Sequence, residues 1–159
     1  MYQPSFWLAL GQAKNRDKIS LERMAQNIIH IPHGDNDKKI YLHKNIIKSK
    51  PISYFLQYPW ETVSQELSNQ FLPFQISYYA GNHLCNALSY LISHAIQTQN
   101  LRLTFAFVHL PLLPEQKIPS NEKFSTVTKK LQIHIVQTII NTLCKPTSKK
   151  NHSSLRALS

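Results

Sequence analysis

The chain has 159 residues, with 18 Lys and Arg against 8 Asp and Glu, a formal net charge of +10 and two cysteines. One domain is expected at this length, large enough to bury roughly 70% of its unfolded surface. Two cysteines make no disulfide framework, and no apolar run reaches the ~18 residues of a membrane-span candidate. With no charged, apolar, small-residue leader pattern at its start, the chain is expected to be soluble and cytoplasmic, without a membrane partner.

So basic a balance raises the question of nucleic acid. From Lys123 onward every charged residue is basic, and residues 145–159 (KPTSKKNHSSLRALS) are polar and without periodicity. They read as a basic, disordered tail behind a domain spanning residues 1–144. No basic–aromatic interleaving accompanies the charge, so it reads as a solvated run with no nucleic-acid partner.

In chain order, Phe6 to Leu10 (FWLAL) reads as a buried strand ending at Gly11. Ile19 or Ser20 is expected to open a short helix reaching about Ile28. Glu22 then falls in its first turn, where a carboxylate stabilises a helix by about 0.3–1 kcal/mol without any catalysis. Ile31 to Lys50 reads as an exposed loop or hairpin. His30 and His33 have no suitably spaced third ligand, so no metal is expected. Val63, Leu67 and Phe71 recur at helical steps within Trp60 to Leu72. This predicts an amphipathic helix packed on the sheet between the strand at Phe6 and the next one.

Phe74 to Ala80 reads as that next strand, and Gly81 breaks it. Leu84, Leu88, Leu91, Ile92, Ala95 and Ile96 then recur at helical spacing, which puts Cys85 in the first turn of a helix. Unpaired N–H groups and the positive end of the helix dipole favour a thiolate there. Leu103 to Val108 (LTFAFV) is a continuous apolar run, the mark of a strand buried on both faces, and it ends at His109. After a Pro-marked loop, Val127, Leu131, Ile135, Val136, Ile139, Ile140 and Leu143 form the longest helical stripe, within Phe124 to Leu143. Cys144 at its end reads as structural.

Strands alternating with helices predict an α/β fold with a mainly parallel sheet covered on both faces. Sites in open α/β sheets lie outside the carboxyl ends of strands, so Cys85 and His109 are expected on one rim. By residue type alone, a lone cysteine is most often a small buried hydrophobe and a lone histidine at a strand end is usually a satisfied residue, so spacing makes the pair only a candidate.

Two longer motifs carry a resemblance. Ala80-Gly81-Asn82-His83-Leu84-Cys85-Asn86 and Phe107-Val108-His109-Leu110-Pro111-Leu112-Leu113-Pro114-Glu115-Gln116 resemble, in order, the A-G-x-x-x-C-N and F-V-H-x-P-x-x-P-E-Q motifs of the pyroglutamyl peptidase I (pyrrolidone-carboxylate peptidase) family. Upstream, Leu10-Gly11-Gln12-Ala13, Arg16 and Ile19-Ser20-Leu21-Glu22-Arg23-Met24-Ala25-Gln26-Asn27 look like its G-x-A-G-G-R…I-T-P-E-R-x-A-x-N segment.

The resemblance implies an open α/β/α sandwich with a twisted sheet. It implies a cysteine peptidase that removes an N-terminal pyroglutamyl (5-oxoproline) residue through a thioester, with Cys85 as nucleophile, His109 as base and Glu22 as the third triad member. It implies that the main chain at Gln12 and the side chain of Leu84 line the substrate pocket. No cofactor is implied. The partners are peptides with N-terminal pyroglutamate, and a homo-oligomer is open because family members often assemble.

The departures shape the alternatives. The family's opening strand and its G-F-x-P-F-G…N-P-S substrate loop have no counterpart, so the chain looks like a family member shortened at its amino end. Lys14-Asn15 stand where the family has two glycines, and His30 aligns with an arginine near the oxyanion. A catalytically silent relative acting as an interaction protein is therefore an alternative. A shortened product with exposed strand edges and little stable fold is another.

Overall fold

The structure is a computed structural model that describes residues 4–116 and 123–145. Its centre is a four-stranded sheet in the order β1-β8-β2-β7. β1 (Phe6–Gln12) runs parallel to β8 (Thr104–Leu110), with Gly11 beside His109. β8 runs antiparallel to β2 (Ile19–Glu22), and β2 runs parallel to β7 (Phe74–Ser77). Two of the three pairings are parallel, so the mainly parallel α/β sheet is as expected.

The helix expected from Ile19 to Ile28 is instead β2 followed by β3 (Met24–Gln26). Ile19 and Leu21 alternate with Ser20 and Glu22 at the strand period of two, and all four are fully buried between β8 and β7. A central position in the sheet overrides the helix propensity of Leu, Glu, Met and Ala. The helix-dipole role considered for Glu22 therefore has no helix to act on.

One face of the sheet is apolar. Ile19, Leu21 and Val108 pack with Val63 and Leu67 of α1 (Trp60–Asn69) and with Ile135 and Ile139 of α3 (Lys129–Cys144). The spacing-predicted helices are both present, though shorter than their apolar stripes. Phe71 lies beyond α1 and is 95% exposed. Thr128 caps α3 by accepting from the Leu131 N–H at 3.4 Å, so Val127 stays outside the helix and is held by Leu112 instead.

The other face carries Phe105 and Phe107 against α2 (Leu84–Thr98). Tyr90 of α2 joins this cluster, as do Ala25, Tyr54 and Leu56, brought there by the small antiparallel pair of β3 and β6 (Ser53–Phe55). β4 (Ile29–Ile31) and β5 (Tyr41–Lys44) form the hairpin expected between Ile31 and Lys50. No described helix is long and apolar enough to cross a membrane. The tail expected at 145–159 lies outside the described residues from 146 onward, and Cys144, read as structural, is exposed.

Candidate active site

Glu22 is fixed by its strand. It ends β2 between Phe107 of β8 and Ser77 of β7, so its side chain enters the buried layer beneath α2. It is 0% exposed. A buried carboxylate needs partners, and Oε1 accepts from His109 Nδ1 at 2.7 Å and from Arg16 Nη2 at 3.1 Å. Oε2 is buried with no hydrogen-bond partner among the described residues.

His109 stands two residues from Phe107 along β8, on the same face, and is 3% exposed with its ring edge-on to Phe107. A carboxylate only accepts, so Nδ1 carries the proton toward Glu22 and Nε2 is left free to bind the thiol of Cys85. Burial pushes the imidazole pKa down from 6.5. Hydrogen bonds to Cys85 and Glu22, with the charges of both, outweigh it and raise the value to about 9.

Cys85 is the second residue of α2 and follows His83, which offers no side-chain cap. The first N–H groups of the helix therefore stay open beside the thiol. Two contacts set the helix end in place. Asn86, buried, accepts from the Gln26 N–H at 2.8 Å and donates to the Gln26 and Ile28 carbonyls at 2.9 Å. Gly11 makes room beneath, because a Cβ there would lie 2.9 Å from the Phe107 ring and 3.2 Å from Cys85 Sγ. A bare backbone is what lets the thiol settle onto the sheet.

The thiol, imidazole and carboxylate predicted from the motifs thus come together, His109 near the carboxyl end of β8 and Cys85 against Gly11 near the carboxyl end of β1. β7 and β8 run in opposite directions, since each pairs with β2 in the opposite sense. Their carboxyl ends point apart, and Cys85 meets His109 over the face of the sheet. The loop after β8 is also held: Gln116 and Gln12 exchange two side-chain hydrogen bonds at 2.8 and 3.0 Å, and Gln132 donates to the Pro111 carbonyl. Gln12 therefore ties the loop that follows His109, while Leu84 lies half-exposed beside Cys85.

Sequence reasoning gave Arg16, Asn86 and Gly11 no role. All three lie inside the quoted motifs, which was the available signal. Their partners, however, lie far along the chain: Tyr79 is 63 residues from Arg16, and Phe107 is further still from Gly11.

A thiol at an uncapped helix start, an imidazole and a buried carboxylate on an α/β sheet are the constellation of the cysteine peptidases. The chain belongs to the pyroglutamyl peptidase family, whose sequence profile matches residues 1–145. It is 36% identical over 121 residues to a pyrrolidone-carboxylate peptidase of Vibrio vulnificus, covering 76% of this chain and 56% of that protein. With a Bacillus cereus pyrrolidone-carboxylate peptidase it shares 30% over 142 residues, 88% of this chain and 66% of the other. Among solved structures it superposes on a mutant pyrrolidone carboxyl peptidase of Pyrococcus furiosus with a TM-score of 0.82 at 29% identity, covering 88% and 69% of the two chains. The pyrrolidone carboxyl peptidase of Fervidobacterium islandicum gives 0.81 at 34%, covering 87% and 68%. The chain spans little more than half the length of the first of these relatives.

Proposed function

We propose that the chain is a cysteine-type omega peptidase that removes N-terminal pyroglutamate from peptides. The observation that supports this most is the buried hydrogen bond between Glu22 Oε1 and His109 Nδ1 at 2.7 Å, with Cys85 close enough to the same imidazole to raise its pKa. His109 Nε2 takes the thiol proton, and the thiolate attacks the carbonyl carbon of the pyroglutamyl residue. The tetrahedral intermediate collapses as its C–N bond breaks, and the imidazolium gives its proton to the departing amine. Water, deprotonated by His109, then cleaves the thioester to release pyroglutamate and restore the thiol.

Glu22 keeps the imidazole in the required tautomer and stabilises its cationic form. The open N–H of Cys85 supports the oxyanion, where one lost donor costs about a hundredfold or more in rate. The main chain at Gln12 and the side chain of Leu84 line the pyroglutamyl pocket. None of these steps calls on a cofactor.

The test is release of a chromogenic amine from a pyroglutamyl amide by the purified chain, with Cys85→Ala alongside. Release that vanishes in the variant is expected. A folded sample without release overturns the proposal and favours a silent relative acting through binding.

A further inference from the structure

Arg16 joins Glu22, six residues further on, to the exit of β7 at Ser77 and Tyr79, 61 and 63 residues further on. Its Nη2 donates to Glu22 Oε1 at 3.1 Å, to Ser77 Oγ at 3.1 Å and to the Tyr79 carbonyl at 2.6 Å. Glu22 is the carboxylate behind His109. Ser77 and Tyr79 mark the exit of β7, from which the chain runs through Gly81 to Cys85. The Ser77 hydroxyl also meets the Tyr79 N–H and carbonyl at 3.3 Å, so one guanidinium closes a small polar knot.

Arg16 is itself held by a turn, its N–H donating to the Ala13 carbonyl at 3.0 Å. Only 24% of its side chain is exposed, against 0% for Glu22, so this ion pair is shielded from solvent far more than a surface pair. Besides His109, Arg16 is the basic side chain paired with Glu22 among the described residues. The neighbouring Arg23 turns away, its guanidinium lying over the Trp60 ring at 4.6 Å and donating to the Leu56 carbonyl. The other polar groups that face Glu22 are His109 from β8 and the Tyr58 hydroxyl, which donates to the Glu22 backbone carbonyl at 3.1 Å. Cys85 faces the far side of His109.

We infer that Arg16 is a positioning residue of the catalytic site: it holds the Glu22 carboxylate against His109 while pinning the β7 exit that leads to Cys85. The inference rests on the triad reading above and adds a fourth group to it. Arg16 touches no reacting atom. Its guanidinium gives the buried carboxylate a charge-assisted hydrogen bond, and its three-way grip makes the carboxylate and the loop to the nucleophile one rigid unit. The charge has a second effect, since it offsets part of the pull that Glu22 exerts on the imidazolium proton.

The experiment follows His109 directly. Its ring nitrogens are titrated by NMR in the chain, in Arg16→Gln and in Arg16→Lys, all on a Cys144→Ser background. Iodoacetamide alkylation of Cys85 is measured on the same samples. In the parent, His109 is expected to titrate near pH 9. Without the offsetting charge, Arg16→Gln should raise that midpoint by about half a pH unit or more and slow alkylation at pH 7 by about threefold or more. Arg16→Lys keeps the charge but not the fork, so it should restore the midpoint more than the alkylation rate.

Arg16→Gln with an unchanged midpoint and alkylation rate, whatever its melting temperature, overturns the inference and leaves a structural brace. If Arg16→Gln does not fold, the decision passes to Arg16→Lys. Parent-like values for both readouts there overturn the inference, and slowed alkylation at a kept midpoint supports it. Because the titration needs no substrate, a chain that hydrolyses no pyroglutamyl amide still decides this question.

Discussion

Leu21 and Glu22 are neighbours on one strand, both 0% exposed, yet they enter opposite worlds. Leu21 meets Val63, Leu67, Ile135 and Ile139, a cluster in which every buried side chain is apolar. Glu22 meets an imidazole and a guanidinium and leaves one oxygen without a described partner. The strand period of two makes this possible, since Leu21 faces the apolar cluster under α1 and α3 while Glu22 shares the face under α2 with His109 and the ring of Phe107. Burying Glu22 is unfavourable unless its partners stay in place, so the second face depends on the first for rigidity.

The largest break should come on the polar face. Glu22→Gln keeps the shape but loses the charge that orients His109, and turnover of a pyroglutamyl amide should fall by about a thousandfold or more. Steady-state kinetics on a sample with parent-like circular dichroism checks this. Unchanged turnover would remove Glu22 from the triad.

Next comes the apolar face. Ile139→Ala opens a cavity at a fully buried position between α3 and the sheet. Urea unfolding should show a loss of about 2–5 kcal/mol. Cys85 alkylation in the remaining folded protein should stay within about twofold, because additivity holds between distant sites. A large change in alkylation would mean that the two faces are coupled more tightly than their separation suggests.

The dependence on pH sharpens the contrast. His109 has a folded-state pKa of about 9, above the 6.5 of an unfolded histidine. Its contribution to stability is therefore complete below pH 6.5 and is lost as pH rises through about 9. The stability gap between the parent and His109→Gln should close across that window, whereas the loss in Ile139→Ala should hold steady. A gap that stays constant from pH 6 to 10 would contradict the buried Glu22–His109 pair.

Much of this division was legible beforehand. The runs at Phe6, Phe74 and Leu103 became β1, β7 and β8, and the stripes at Val63 and Ile135 became α1 and α3, because long apolar patterns report burial directly. β2 was misread as a helix. Its four residues alternate as a strand should, but Arg23-Met24-Ala25-Gln26 continues them with good helix formers. Only pairing with Phe107 and Ser77, 85 and 55 residues further on, decides the outcome. The proposed triad was read through motif resemblance, while the meeting of its side chains over one sheet face depends on the sense of that same strand. The proposed work of Arg16 was hidden for a similar reason, since its partners Ser77 and Tyr79 lie at and just beyond the end of β7.

The smallest effect is expected at the second thiol. Cys144 closes α3 and is exposed, on the helix layer opposite the site. Cys144→Ser changes no packed side chain, so stability should move by less than about 0.5 kcal/mol. Hydrolysis of the amide should be unchanged. Since Cys85 lies in the polar layer with His109 and Cys144 lies outside both clusters, abolished activity in this variant would transfer the nucleophile to the wrong face. The division of labour between the faces would then fail, whatever the other variants had shown.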